Sequence, residues 1–66
     1  MKKISVSLSG HQTSISLERE FVDAMQSIAN RRGCSIASII SEIDDARGAR
    51  NLSSAVRVWI LQNINK

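Results

Sequence analysis

The sequence predicts a small α+β domain, mostly α, in which a strand region is followed by three helices. Three observations predict it. Residues 4–8 and 13–17 alternate apolar and polar side chains with period two and are rich in β-branched residues. From Glu18 onward the apolar residues recur at helical spacing instead. A chain of 66 residues with no proline and no low-complexity stretch, punctuated only by Gly10, Gly33 and Gly48, is one domain at most.

In the first segment, Thr13, Ile15 and Leu17 make one face and the polar Gln12, Ser14 and Ser16 the other. Upstream, Ile4-Ser5-Val6-Ser7-Leu8 alternates too, but its apolar positions are even-numbered. The parity flips, so a continuous strand would turn its apolar side chains to opposite faces. A break is therefore expected near Ser9-Gly10: a bulge, a turn or an unpaired arm.

The first helix is expected from Glu18, with Phe21, Met25, Ile28 and Ala29 as its apolar stripe and Ala24 beside them. Glu20 and Asp23 near its start and Arg31 and Arg32 near its end suit the helix dipole, and Gly33 is placed to terminate it. Ser35 reads as the N-cap of a second helix with the stripe Ile36, Ile39, Ile40, Ile43, ending near Arg47-Gly48. A third follows from Asn51 or Ser53, with Leu52, Val56, Trp59, Ile60 and Ile64 along one side.

A core this small supplies only about 3–5 kcal/mol unless it is stapled, idealised or shared. Cys34 is the only cysteine, which excludes a disulfide framework, and one Cys with one His cannot complete a structural zinc site. Oligomerisation is the remedy left, most simply a twofold dimer. The strand also needs a partner for its backbone groups. That partner is either the same segment of a second chain, the option the small size favours, or Ile4 to Leu8 through a four-residue loop, Ser9 to Gln12.

Nine Lys and Arg against six Asp and Glu give a net charge of +3. Lys2, Lys3 and His11 lie in residues 1–17, and every acid lies from Glu18 onward, so the electropositive part is the N-terminal one. Apolar runs are short, as at Ile39-Ile40 and Val58 to Leu61, so no membrane span is expected. A lone thiol and a start without an apolar signal core point to the cytoplasm.

An alternating strand running into two amphipathic helices, with Gly33-Cys34-Ser35 between them, resembles the ribbon-helix-helix (Arc/MetJ-like) family. The carrying stretches are TSISLEREF, the Phe21-to-Ala29 stripe and RRGCSIASIISEI. Small stand-alone members that read GHxTSISLE early and NLSSAxR late are closer still; here those motifs are residues 10–18 and 51–57. The resemblance implies a bacterial, intertwined homodimer whose two-stranded antiparallel ribbon takes one strand from each chain and enters the major groove of double-stranded DNA at a near-palindromic site. Residues 1–9 would then be an N-terminal arm and residues 51–66 an additional C-terminal helix.

The resemblance assigns base reading to Gln12, Ser14 and Ser16, whereas family ribbons often carry Arg or Lys there; His11 is the nearest substitute. Phosphate contacts would come from the N-terminus of the second helix at Ser35, Ile36 and Ala37, with Lys3, His11, Arg31 and Arg32 as further candidates. The dimer core would comprise Ile15, Leu17, Phe21, Met25, Ile28, Ile36, Ile39, Ile40, Ile43 and Trp59. Cys34 reads as a small packing residue. Glu42, Asp44 and Asp45 read as a solvated face, because helix neighbours point apart.

A DNA-binding transcriptional regulator, most simply a repressor, is the function this points to. The alternative is a protein-interaction module, such as an antitoxin or adaptor, that meets another protein through the C-terminal helix. The chain is expected to end without a long tail that could wrap a toxin, and Trp59 is the residue whose exposure tells the two apart. No nucleophile–base pair, metal cluster or phosphate-cradling glycine loop is visible, so neither catalysis nor a cofactor is expected.

Overall fold

A computed structural model describes residues 1–64. Two strands, β1 (Lys2–Leu8) and β2 (His11–Leu17), are followed by α1 (Arg19–Arg32), α2 (Ile36–Ala46) and α3 (Leu52–Asn63). β1 and β2 pair antiparallel, with Ile4 opposite Ile15, Ser5 opposite Ser14, Val6 opposite Thr13 and Leu8 opposite His11. This register explains the parity flip. Even positions of β1 lie opposite odd positions of β2, so the hairpin brings both apolar sets onto one face.

The expectation that a second chain supplies the other strand is corrected: β1 supplies it, and residues 2–8 are a paired strand rather than an arm. The loop is also tighter than the four residues expected. Leu8 and His11 pair, leaving only Ser9 and Gly10 between the strands. Both have positive φ, 51° and 80°, as the type I′ turn requires; its twist matches that of the flanking strands.

α1 ends, and α2 and α3 begin, where their caps dictate. At the end of α1, Gly33 takes φ 67°, and the N–H groups of Gly33 and Cys34 donate to the carbonyls of Asn30 and Ala29. These two bonds form a Schellman stop. Cys34 emerges exposed rather than packed, because this stop carries it beyond the last turn. Ser35 caps α2 by accepting from the Ser38 N–H at 3.1 Å, while the Ser38 hydroxyl donates back to the Ser35 carbonyl at 2.9 Å. Asn51 caps α3 in the same way, accepting from the Ser54 N–H. The third helix therefore starts at Leu52, and its wanted N-cap was Asn51.

The core lies between the inner face of the hairpin and the three helices. Leu17, Met25, Ile39, Ile40, Val56 and Ile60 are fully buried, with Val6, Leu8, Ile15, Ile28, Ala29, Ile43 and Ala55 around them. Of the residues expected in a dimer core, Ile15, Leu17, Met25, Ile28, Ile39, Ile40 and Ile43 are buried within this one chain, and Phe21, Ile36 and Trp59 pack against them partly buried. Two stripe members depart from expectation. Thr13 is exposed because the turn end of β2 overhangs a cleft. Ile64 is exposed because α3 has ended by then.

The solvent-accessible surface is 4304 Å², close to the roughly 4,200 Å² of a compact single chain of this mass. The Cα radius of gyration, 11.0 Å, likewise matches the about 10.8 Å expected for one folded domain of this length. The hairpin thus does within the chain what a partner strand was expected to do.

The turn offers a direct check. Ser9→Asn places at φ 51° a residue that tolerates the left-handed region, and is expected to stabilise the fold by about 0.5 kcal/mol. A Cβ at Gly10 meets nothing within 4 Å, but Gly10→Ala is expected to cost about 1–2 kcal/mol from backbone strain alone. Urea unfolding followed by Trp59 fluorescence measures both.

Candidate nucleic-acid interface

Alternation leaves the hairpin with an outer face that is polar throughout. β1 contributes Lys3, Ser5 and Ser7; β2 contributes Gln12, Ser14 and Ser16; all six are exposed. They stand in cross-strand pairs: Lys3 with Ser16, Ser5 with Ser14, Ser7 with Gln12. Lys3, Ser5, Gln12, Thr13 and Ser14 line a shallow depression on this surface. Four of the six are serines, short enough for the backbone itself to approach a ligand closely. The three residues expected to read bases are thus together on one face, joined by Lys3. Ser5 and Ser7 were not singled out from the sequence, although the alternation of residues 4–8 carries the signal once the turn is placed.

The other expected contacts are not gathered there. His11 has odd parity and lies on the helix-facing side of β2, at the mouth of a cleft of about 450 Å³ that it shares with Asp44, Arg47, Asn51 and Ser53. Arg47 is held in that region by Asp44 at 2.7 Å and by donating to the Arg50 carbonyl. Arg31 and Arg32 sit at the C-terminal end of α1. Arg31 donates to the Asn63 carbonyl. Arg32 pairs with Glu42 at 3.4 Å and lies 5.7 Å above the Trp59 ring. Trp59 is therefore half-buried under a guanidinium rather than presented to solvent. At the start of α2, the Ser35 side chain occupies only the Ser38 N–H. The N–H groups of Ile36 and Ala37, in the first turn, have no acceptor within the helix and are the groups an anion would meet.

One ion pair fixes the ribbon to the helices. Arg57, near the middle of α3, donates to Glu18 at 3.0 Å, and its guanidinium lies 5.9 Å from the Phe21 ring. Glu18 is the residue at which β2 gives way to α1. Its own backbone N–H, and then the Arg57 hydrogen bond, hold its carboxyl below the usual carboxylate range. Because the folded pKa is depressed, the associated stabilisation is present above the ordinary value and is lost as pH falls through the folded one. A thermal-melting series from neutral pH to about pH 3 is expected to show the native protein losing more stability than Glu18→Gln over the acid end of the range. Parallel acid slopes for the two proteins would contradict the assignment.

Among the described residues no three His, Cys, Asp or Glu side chains cluster as a metal site needs. No helix among them is long and apolar enough to cross a membrane.

The model of a family described as a ribbon-helix-helix domain matches residues 1–64. No curated protein and no solved structure matches the chain.

Proposed function

The chain belongs to the ribbon-helix-helix family, and on that premise we propose that it is a sequence-specific DNA-binding transcriptional regulator that acts as a repressor. Members of the family generally form dimers and bind DNA, and they serve as regulatory modules rather than catalysts. The observation that carries the reading is the uncovered polar face of the hairpin. Two strands about 4.8 Å apart fit a major groove about 12 Å wide. From that position Gln12 can bond the N6 and N7 of adenine together, and Ser14 and Ser16 can serve several base edges.

Phosphate contacts then fall to Lys3 and to the free N–H groups at Ile36 and Ala37 beside Ser35. Arg31 and Arg32 join them only by exchanging the Asn63 carbonyl and Glu42 for phosphate oxygens, and His11 only at the turn end of the ribbon. In this reading two chains occupy a near-palindromic site, each bringing its own hairpin, and exclude polymerase by steric overlap in the cytoplasm. The toxin-binding alternative is not favoured. Trp59, the residue that would have marked a vacant partner surface, is covered by Arg32 and packed against the core.

Binding to duplex DNA across a salt series tests the proposal. If about six phosphates are neutralised, affinity is expected to fall roughly a thousandfold between 50 and 200 mM salt. Gln12→Ala is expected to weaken a preferred duplex by about 1–3 kcal/mol while leaving a scrambled one unchanged. Undetectable or salt-independent binding would overturn the reading. Light scattering with and without DNA measures the dimer separately.

A further inference from the structure

We infer that the cleft between the hairpin turn and the α2–α3 joint is a binding site for a small hydroxylated oxyanion, a phosphate or carboxylate carried on a polyol. The inference stands apart from the DNA-binding reading. The side chains that β2 brings to this cleft, His11 and Thr13, have the parity of the helix-facing side of the hairpin and not of its polar outer face.

The inner face of the hairpin departs from its own alternation at the turn end. Val6, Leu8, Ile15 and Leu17 are buried on that face. Thr13 and His11 share their parity, standing opposite Val6 and Leu8, yet both are polar and exposed. Apolar residues at these two positions would extend the core over the joint between α2 and α3. Polar ones instead border an open cleft of about 450 Å³, a volume within the range of small-molecule sites. Leu8 and Ile15, both buried, give it an apolar floor.

The helices bring a fixed charged pair to the same cleft. Arg47 donates from Nε to Asp44 at 2.7 Å, the shortest ion pair among the described residues. It also donates from Nη1 to the Arg50 carbonyl at 2.6 Å, and both Arg47 and Asp44 are half-buried. The guanidinium is thus oriented before any ligand arrives, and its Nη2 group has no acceptor among the described residues. An oriented guanidinium edge suits the planar array of oxygens on a phosphate or carboxylate. Asp44 offsets the charge of Arg47, so a bare anion gains little there. The same carboxylate has acceptor capacity that an anion cannot use and a hydroxyl can. His11, Thr13 and Ser53 add groups that donate or accept. One cation edge, one carboxylate and several hydroxyl partners together match a ligand whose hydroxyls stand beside its oxyanion. Bound there, it touches the hairpin, α2 and the start of α3 at once.

The test titrates the full chain and follows its backbone amide resonances. Glucose 6-phosphate and gluconate are the hydroxylated oxyanions, and glucose and inorganic phosphate supply the two halves of that chemistry separately. At least one of the first two is expected to shift His11, Thr13, Arg47 and Ser53 along one saturating curve. It is also expected to bind about tenfold or more tighter than either half, as several added hydrogen bonds allow. Which of the two binds tells phosphate from carboxylate. Thr13→Val keeps the shape of the side chain and favours the strand, so it removes a hydroxyl without removing the fold. It is expected to weaken binding about 2- to 10-fold. Arg47→Lys keeps the charge but not the fork, and is expected to weaken it at least as much. Ser27→Ala, on the exposed side of α1, is expected to bind as the parent does. The inference is overturned if neither hydroxylated oxyanion saturates these amides, or if Thr13→Val and Arg47→Lys both bind as tightly as the parent. Shifts confined to residues 35–37 overturn it as well, because they report the start of α2 instead. So do shifts at the cleft that a short DNA duplex produces and none of the small molecules does. Failure of duplex binding in the salt series would leave a saturating titration with glucose 6-phosphate or gluconate standing.

Discussion

The two-residue turn at Ser9-Gly10 is the constraint on which the rest of the molecule depends. Two alternating runs of opposite parity become useful only if they are antiparallel neighbours in a register that sets even positions against odd ones. A two-residue type I′ loop supplies that register and a twist the strands can follow. Shifting the pairing by one residue would expose Val6 and Leu8 and drive Ser5 and Ser7 into the core. The positive φ values of Ser9 and Gly10 thus determine which serines face solvent more than ten ångströms of chain away.

Once the hairpin is closed within the chain, the helices have a complete apolar surface to cover. α2 packs under β1 and α3 under β2, and α1 joins them through Met25, Ile28 and Ala29. The Glu18–Arg57 pair ties the point where β2 becomes α1 to the middle of α3. It is half-exposed, so its Coulomb energy is small. In the proposed complex, pairing of two chains doubles the phosphate contacts and matches a twofold-related sequence.

The helices were legible in the sequence because each is written twice, in its apolar stripe and in its caps. Gly33 and Ser35 bracket the α1–α2 joint, and Asn51 has the residue type that an N-cap needs. The polar face of β2 was legible for the same reason, since Gln12, Ser14 and Ser16 alternate with Ile15 and Leu17. The partner of β2 was not. Periodicity reports which side chains share a face of one strand, and says nothing about which strand lies beside it. The small size of the chain argued for a strand from a second copy, whereas β1 lies beside β2 within the chain. Ser9 hid the tight turn, because serine, unlike asparagine or glycine, does not announce positive φ. The positions of Arg31, Arg32 and His11 were equally invisible: their charge is in the sequence, but the Asn63 carbonyl, Glu42 and the cleft beside Asp44 come to them only through tertiary contacts.

A ribbon faced with serines in place of arginines changes the division of labour at a DNA interface. Arginine supplies charge and base recognition in one side chain, so affinity and specificity rise together. Here they are separated. Hydroxyls carry little electrostatic attraction, so in the proposed complex affinity comes from Lys3, from helix N–H groups and from a second chain's copies of both. What the hydroxyls provide is reach and reversibility of role: each can donate or accept, and none holds the backbone away from the groove floor. Close approach then makes recognition depend on the shape and depth of the groove as much as on single bonds. In the proposed complex, a ribbon with one charged side chain on its outer face discriminates between sequences by fitting closely where the groove allows it, on a hairpin whose register its own turn has fixed.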